Sequence, residues 1–454
     1  MRFAHSPLAR RALSAAVLLT AVACSPGDQK TADSSATASA ADATSAKCTG
    51  DNAGLTLPAG ICANIFADSV GHARHVVVAS NGDVYTTLEG TSGGRNAPAP
   101  TASVVALRDT TRDGRADVIE HIGKVGNTGV ALANGYLYVD EGATIVRYKR
   151  GDAELVPSGA REVIVQGLPM RPGHRARSIV IGNDGALYVN VGSASNSCQK
   201  RERTTGSPGN DPCTELETRA GTWKFDANKA GQSFTPGARF ATGIRNGIGM
   251  AIRPGDGALF VAQHGRDQLH DNWPKVFPTT QYSAENPGEE LVQANQGDDF
   301  GWPYCYYAMD EKKLVTAPEY GGDGKKSDRC DSKKGPVAVF PGHWAPMSVM
   351  FYTGTTLPAK YRDGVFIAFH GSWNRAPEPQ AGYRVVFQPM ANGQASGEYE
   401  TFADGFAAMP AASVQPDRAE HRPVGLAQGP DGAIYITDDA GGRVYRITAA
   451  GGSR

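Results

Sequence analysis

The sequence has no marked excess of charge of either sign and few aromatic residues. Its 45 basic and 46 acidic side chains give a formal net charge of −1. It therefore lacks the basic surface expected of proteins that bind nucleic acid or an anionic membrane. Aromatic residues make up only 8% of the 454 residues, while glycine occurs 55 times and proline 28 times, without a long helical periodicity. This composition favours many short strands joined by turns, an all-β fold.

Cysteine motifs that bind metal or haem are also missing. The sequence contains neither C-x-x-C nor C-x-x-C-H, which argues against the common zinc sites and excludes the usual covalent haem attachment. Apart from Cys24, the cysteines fall in near pairs, and such pairs in an oxidising compartment indicate disulfides. Sequence proximity alone predicts Cys48–Cys62, Cys198–Cys213 and Cys305–Cys330, and other connectivities stay open.

The N-terminus predicts export. Basic residues at Arg2 and Arg10-Arg11 precede a largely apolar run, 12–23, which is too short to cross a bilayer as a mature helix and is typical of a signal peptide. Its end, LTAVAC, resembles a bacterial lipobox, so residues 1–24 are interpreted as a lipoprotein signal peptide with Cys24 acylated. Cleavage and release is the alternative. Residues 25–47, mostly Ser, Thr, Ala and Asp, predict a flexible tether.

One pattern recurs six times: an apolar stretch, a tight turn rich in Asn, Asp and Gly, and an alternating strand with an aromatic residue. The spacing of these turns fits four-stranded propeller blades, some with insertions. Residues 48–450 are therefore predicted to form a six-bladed β-propeller, with each hairpin in the middle of a blade and a long loop insertion between His264 and Val349. A β-sandwich is the alternative, but six copies exceed one sandwich. The copies are 76–85, 130–139, 179–189, 250–261, 349–368 and 426–436.

Polar residues cluster just before or after these repeats. Singly, a loop histidine or arginine is ordinarily a hydrogen-bonding or solvated side chain. At equivalent positions of successive blades, however, the clusters would converge on the mouth of the central channel, where propeller loops bind ligands. Several arginines there suit a planar polyanionic ligand. The clusters are 173–177 (GHRAR), 242–249 (TGIRNGIG), 263–267 (QHGRD), 299–304 (DFGWPY), 370–375 (HGSWNR) and 421–423 (HRP).

On these motifs the chain resembles the glucose and sorbosone dehydrogenases, six-bladed propellers that carry pyrroloquinoline quinone (PQQ). The resemblance covers roughly residues 62–447, and HGSWNR followed by GYRVV is closer to the sorbosone-dehydrogenase-like branch. It implies an exported oxidoreductase that oxidises a sugar, sugar aldehyde or related alcohol by hydride transfer to the quinone. It also implies a separate electron acceptor, a cytochrome or a quinone, in the cell envelope. The protein would lie in the periplasm or at the cell surface, and it would contact the membrane only through its N-terminal lipid.

The resemblance implies a role for each candidate site residue. His174 matches the general base that takes the proton of the substrate hydroxyl, a task that suits a neutral imidazole. Arg245 matches the arginine that stabilises negative charge developing on a quinone oxygen. The residues assigned to cofactor binding are Asn246, Arg375, Arg422 and Asp438.

Calcium is the second cofactor that the resemblance implies, bound by the backbone carbonyls of Gly265 and Arg266 and acting as a Lewis acid on the quinone. The segment 288–291 (GEEL) resembles the surroundings of a further structural calcium site. The loop DTTRDGRAD, 109–117, lacks a full set of calcium ligands and is interpreted as a solvated turn.

One departure bears on substrate and mechanism. Where glucose dehydrogenases have an aspartate that orients the base, this chain has Gly192-Ser193-Ala194, so another group is expected to orient His174, or calcium to carry more of the catalysis. Two other functions stay open. A calcium-dependent six-bladed lactonase would need carboxylates around one exposed metal instead of arginines. A non-enzymatic propeller could serve as a binding module.

Overall fold

The computed structural model describes residues 50–89, 102–170, 172–410, 413–416 and 418–450. The predictions for the signal peptide, Cys24, the tether and Cys48 concern residues outside these ranges, and they stay predictions. The regular secondary structure of the described chain is nearly all β-strand, as the composition indicates. Neither of its two short helices has the length and apolar character that crossing a bilayer requires.

The first half of the described chain contains fourteen strands, and the second half adds fourteen more with the two helices. The first are β1 (Ile61–Ala67), β2 (Ala73–Val78), β3 (Val84–Leu88), β4 (Val104–Arg108), β5 (Val118–Ile122), β6 (Val130–Ala133), β7 (Tyr136–Asp140), β8 (Thr144–Lys149), β9 (Arg161–Gln166), β10 (Ile179–Ile181), β11 (Ala186–Val191), β12 (Gly221–Asp226), β13 (Gln232–Ser233) and β14 (Arg239–Thr242). The others are β15 (Gly249–Ile252), β16 (Leu259–Gln263), α1 (Leu269–Asn272), α2 (Thr280–Glu285), β17 (Glu289–Ala294), β18 (Cys305–Ala308), β19 (Lys313–Thr316), β20 (Ala338–Phe340), β21 (Pro346–Phe351), β22 (Gly364–Phe369), β23 (Arg384–Ala391), β24 (Gln394–Ala395), β25 (Glu400–Ala403), β26 (Pro423–Gln428), β27 (Ile434–Asp438) and β28 (Val444–Ala449).

The strands form six antiparallel sheets of four strands each, and each sheet begins with one of the predicted hairpins. The parallel strand β13 extends the second sheet beside β9, and β24 adds to β23 in the fifth. The hairpin β18–β19 stands apart from the six sheets. In chain order the sheets are β2-β3-β4-β5, β6-β7-β8-β9, β10-β11-β12-β14, β15-β16-β17-β20, β21-β22-β23-β25 and β26-β27-β28-β1.

The first strands of the six sheets contact one another in a closed cycle. β2 contacts β6, β6 contacts β10, and the cycle continues through β15, β21 and β26 back to β2. The sheets are therefore blades around a common axis, and the predicted six-bladed β-propeller is confirmed. The expectation that each hairpin lies in the middle of its blade is wrong. The hairpin supplies the two strands nearest the axis, because both remaining strands are added on its outer side.

The last blade is closed by the strand nearest the N-terminus. β1 pairs antiparallel with β28, with Ile61 opposite Ala449. This pairing joins the two ends of the propeller and leaves no gap in the cycle of blades. The apolar core lies between neighbouring blades, where Phe366 and Phe387 of the fifth blade belong to the same buried cluster as Ile434 and Ile447 of the sixth. Removing such side chains from water is the main force that holds blades together.

Strand pairing places five of the six predicted polar clusters at one end of the propeller, whereas the sixth, 299–304, follows the third strand of its blade, β17. The first strand begins where the second ends, as in Pro346 opposite Phe369 and Pro423 opposite Asp438. The residues before each first strand and after each second strand therefore share one end of the blade. We call this end the top face. It carries the segments 172–178, 243–248, 264–267, 370–375, 421–423 and 438–439.

The predicted insertion is partly correct. Between His264 and Val349 the chain contains two blade strands, β17 and β20, as well as α1, α2 and the hairpin β18–β19. Two of the predicted disulfides are confirmed, Cys198–Cys213 and Cys305–Cys330. Cys198, Cys213 and Glu215 also form the one group of three possible metal ligands found among the described residues, but the disulfide leaves no thiolate to bind a metal.

Candidate active site on the top face

Hydrogen bonds join each blade to the next across the top face. His370 Nε2 of the fifth blade lies 2.7 Å from Asp439 Oδ1 of the sixth, and Arg74 of the first blade donates to Asp439 Oδ2 at 2.6 Å. His264 Nε2 of the fourth blade donates to the Pro346 carbonyl of the fifth at 2.9 Å. The loops that carry the predicted site residues are thus held by one another as well as by their own strands.

His174 lies in the loop before β10, half-buried against the loop that follows β11. Its backbone N–H donates to the Ser193 carbonyl at 3.0 Å, and its Nδ1 lies 3.0 Å from both that carbonyl oxygen and Ser193 Oγ. The pKa of His174 is lowered to about 3, first by burial and then by the positive charge of Arg245, while Asp267 opposes the change. The imidazole is therefore neutral at neutral pH, as a general base must be.

Arg245 is buried in the loop before β15, and four acceptors fix its guanidinium. Nε and Nη2 donate to the backbone carbonyl and Oδ1 of Asn196, each at 3.0 Å. Nη1 donates to the Gly265 carbonyl at 2.8 Å, and Nη2 also lies 3.1 Å from Asp267 Oδ2. Burial lowers the pKa of Arg245, and Asp267 opposes that change. A cation held this rigidly suits stabilisation of charge at one fixed point.

Asp267 links three loops of the site, and no role was predicted for it. Its carboxylate accepts hydrogen bonds from Arg245, from Arg203 at 2.7 Å and from Asn374 Nδ2 at 2.6 Å. Despite burial, the neighbouring Arg245 and Arg203 hold its pKa well below the usual range. Asp267 is the last residue of the motif QHGRD, and its partner Asn374 lies in the motif HGSWNR. The presence of both motifs in the sequence is the signal that could have identified Asp267 as a site residue.

Asn246 lies next to His174 with an oxygen that no described residue satisfies. The Asn246 side chain is buried, and its Oδ1 has no hydrogen-bond partner. A Cβ at Gly192 would lie 2.6 Å from the Cβ of His174 and 3.0 Å from Asn246 Oδ1. Glycine at 192 thus keeps the two side chains close together. A buried acceptor without a partner is costly. The geometry therefore fits a ligand that donates a hydrogen bond to Asn246 Oδ1.

Arg422 and Asp438 differ in how their polar atoms are used. Arg422 donates only to backbone carbonyls, to His370 at 3.0 Å from Nε and to Gly371 at 2.8 Å from Nη2. Asp438 is fully buried and accepts hydrogen bonds from the His421 ring and from the backbone N–H groups of Arg422, Ala440 and Gly441. Its oxygens are therefore occupied by its own loop and by the loop before β26. The next residue, Asp439, faces Arg74 and His370.

Arg375 holds loops together. Its Nε donates to the Pro379 carbonyl at 2.9 Å, and its Nη1 donates to the carbonyls of Ala284 and Gly342. These contacts join the loop after β22 to the segment that contains α2. A direct contact between Arg375 and the cofactor stays a prediction.

Gly265 and Arg266 line a small cavity with Gln263 and Glu290, of about 20 Å³. One carboxylate oxygen of Glu290 is buried there without a hydrogen-bond partner among the described residues. The pKa of Glu290 is raised to about 8, first by burial and then by the negative charge of Glu289. Backbone carbonyls beside an unsatisfied carboxylate form the donor set that a hard cation such as Ca²⁺ takes. The Gly265 carbonyl also accepts from Arg245, so a cation there would lie beside a guanidinium.

The relatives of the chain include proteins named as PQQ-dependent dehydrogenases. It is 23% identical over 442 residues to a pyrroloquinoline quinone-dependent sugar dehydrogenase of Hypocrea jecorina, covering 88% of this chain and 92% of that protein. It is 28% identical over 272 residues to a pyrroloquinoline quinone-dependent pyranose dehydrogenase of Coprinopsis cinerea, covering 50% of this chain but only 34% of the relative. A match at 29% identity to an uncharacterized protein of Borreliella burgdorferi spans about half of each, 46% and 48%.

Solved structures share the fold. A Trichoderma reesei protein of Carbohydrate-Active Enzymes Family AA12 matches with a TM-score of 0.70 at 18% identity, covering 87% of this chain and 98% of that one. The PQQ domain of the Coprinopsis cinerea pyranose dehydrogenase matches with a TM-score of 0.66 at 17% identity, covering 87% and 97%. The family model described as TrAA12-like matches residues 55–450. The predicted resemblance to PQQ-dependent sugar dehydrogenases is confirmed, and because the model spans most of the chain, the protein belongs to the TrAA12-like family.

Proposed function

We propose that this protein is a PQQ-dependent dehydrogenase that oxidises a sugar, sugar aldehyde or related alcohol. The observation that carries the proposal is the juxtaposition of a neutral histidine, a rigid arginine and an unsatisfied buried amide oxygen on the top face. His174, Arg245 and Asn246 supply these three groups. The relatives that act on sugars with PQQ support the same chemistry.

The residues of the chain divide the work in this proposal. PQQ, when bound, supplies the acceptor for the hydride of the substrate. His174 takes the proton of the substrate hydroxyl at its ring nitrogen Nε2, because Nδ1 is already engaged with Ser193. Arg245 holds positive charge where negative charge develops, and its four contacts keep it from reorganising during the reaction. Arg422 offers a cation to a carboxylate of the cofactor.

Calcium forms part of the proposal as the second cofactor. The carbonyls of Gly265 and Arg266 with Glu290 would hold it, and the chemistry it supplies there is that of a Lewis acid. The cavity that these groups line supports the assignment. We also propose that electrons leave to a separate cytochrome or quinone in the cell envelope, with the exported chain anchored through acylated Cys24.

The test is dye reduction by the purified protein, reconstituted with PQQ and with either Ca²⁺ or a chelator. The panel contains aldoses, ketoses, sugar aldehydes and polyols. Turnover of at least one class that requires PQQ and falls on chelation is the expected result. If the protein neither changes the absorbance of PQQ nor reduces dye, the proposal is wrong, and hydrolysis of lactones becomes the next reaction to measure.

A further inference from the structure

Ser193 and His174 form a contact that accounts for the missing aspartate beside the base. Ser193 is fully buried in the loop after β11, and its backbone N–H donates to the Arg245 carbonyl at 2.7 Å. Its carbonyl and hydroxyl oxygens each lie 3.0 Å from His174 Nδ1. One residue therefore touches both predicted catalytic residues.

The hydrogen bonds around Ser193 fix the tautomer of His174. The Ser193 hydroxyl donates its single hydrogen to the Ser195 carbonyl at 2.6 Å. Its oxygen can then only accept from the imidazole, as can the Ser193 carbonyl. A neutral imidazole with two acceptors at Nδ1 must carry its proton there. Nε2 is left with the lone pair that a base needs.

A carboxylate holds this serine loop in place from behind. Glu215 Oε2 accepts from the backbone N–H groups of Ala194 at 2.7 Å and Ser195 at 3.1 Å, and Ser195 Oγ donates to Oε1. Ser195 Oγ also accepts from the Cys198 backbone N–H at 2.9 Å. Glu215 follows Cys213, the partner of Cys198, so the disulfide ties both sides of the loop together.

The glycine before the histidine allows this close approach. Gly173 has φ +87°, and a Cβ there would lie 2.4 Å from the Ser193 carbonyl oxygen and from the Cα of Ala194. Any larger residue would push the histidine loop away from Ser193. The charged and titratable groups that act on His174 from the other packed loops are Arg245, Asp267 and His264, and none of them contacts Nδ1.

We infer that Ser193 is the positioning residue of the base: with its loop held by Glu215, it fixes His174 as the Nδ1–H tautomer with a neutral partner in place of a carboxylate. The inference deepens the proposed dehydrogenase function and rests on it. Ser193 raises the pKa of His174 only through a neutral hydrogen bond, whereas a carboxylate in its place would also raise it through its negative charge.

The test combines a spectroscopic signature with kinetics. The whole chain, labelled with ¹⁵N-histidine and without added cofactor, is examined by NMR, and the His174 signals are assigned by their loss in His174→Asn. We expect the ¹⁵N shifts of the Nδ1–H tautomer in the wild type. Ser193→Ala removes the hydroxyl but keeps the backbone carbonyl as an acceptor for Nδ1. We therefore expect a minor second population with the proton at Nε2, and in the PQQ-loaded protein a fall in kcat of about fivefold with KM little changed.

The matched control is Ser103→Ala. Ser103 is also fully buried, and its hydroxyl also donates to a backbone carbonyl, that of Val125, at 2.6 Å, but it lies in the first blade beside β4. It should keep both the tautomer and kcat. A wild-type His174 with its proton at Nε2 would overturn the inference without any variant, and so would unchanged kcat in Ser193→Ala. If the tautomer changes as expected but no substrate is oxidised, only the dehydrogenase function fails.

Discussion

Replacing Asp267 by asparagine removes the negative charge that lies between two arginines of the site. Asp267 is 7% exposed and Arg245 is 3% exposed, so the substitution leaves the Arg245 charge buried without its carboxylate. Removing one partner of a buried ion pair costs about 3–5 kcal/mol. Unfolding entropy of about 2.1 cal/mol/K per residue over roughly 400 residues converts about 3 kcal/mol into a fall in Tm of about 4 °C. Calorimetry or dye-based melting of the cofactor-free protein measures this change.

The same substitution should reduce turnover, because Arg245 loses one of the contacts that fix its guanidinium. A displacement of about 1 Å in such a group can lower kcat by up to about 100-fold, and we expect a loss of about tenfold or more. Asp83→Asn is the matched control. Asp83 is 1% exposed, and its carboxylate forms ion pairs with Arg108 Nε at 2.6 Å and with Arg150 Nη2 at 2.9 Å. It lies in the turn between β2 and β3 of the first blade, outside the top-face segments.

Asp83→Asn should lower Tm by a similar amount while kcat stays at the wild-type value. The comparison separates stability from catalysis, because both variants lose an aspartate held by two arginines. If Asp267→Asn kept full kcat, or if both variants lost activity in proportion to their stability, the assignment of Asp267 to the positioning of Arg245 would be refuted.

Three further results are expected. His174→Asn should bind PQQ with near wild-type affinity, measured by the absorbance of the bound cofactor, and lose turnover by about 100-fold or more. Wild-type turnover should not fall through protonation of this base between pH 7 and pH 5, since its pKa is lowered to about 3. A fall in wild-type turnover with a midpoint near pH 6.5 that is absent in the variant would contradict this. Asn246→Ala should weaken PQQ binding in a titration, because a buried acceptor is lost from the site, and unchanged affinity would show that the amide faces away from the cofactor. Cys305→Ser should lower the free energy of unfolding in denaturant by about 3 kcal/mol, since the disulfide closes a loop with a sequence separation of 25 residues; an unchanged midpoint would show that the insertion unfolds separately from the blades.

The blades could be predicted because their signal is local. Each first and second strand form a hairpin whose turn, such as SNGD or GPDG, lies within one short segment of sequence. The outer strands carry no such signal, and β1 pairs with β28 across almost the whole chain, from Ile61 to Ala449. A pairing at that separation leaves no pattern in either strand. Because the outer strands could not be recognised, the sequence also did not show that they are all added on one side of each hairpin, which places the hairpins next to the axis.

A site residue was predictable only where a single sequence motif contained the residue and indicated its role. GIRNGIG and QHGRD pointed to Arg245, Asn246 and Gly265, all of which lie on the top face. Ser193 was interpreted as the absence of an aspartate, because its function depends on a contact with His174 from another loop. The Arg74–Asp439 contact joins the first blade to the last. Contacts of this kind follow from closure of the propeller and have no fixed spacing in the sequence.

The arginines of the top face differ in whether a carboxylate compensates their charge, and this difference supports the proposed division of tasks among them. Arg74, Arg177 and Arg245 each lie within ion-pair distance of a buried carboxylate. Arg375 and Arg422 are different: throughout the described part of the chain, no carboxylate lies within that distance of either, and their hydrogen bonds go to neutral carbonyls. A paired arginine gains little from a second anion, whereas an unpaired and partly buried one gains a charge-assisted bond with a ligand carboxylate. Under the proposed function, the positive charges available for an anionic cofactor are therefore those of Arg375 and Arg422, while Arg245, paired with Asp267, would serve charge that develops during the reaction.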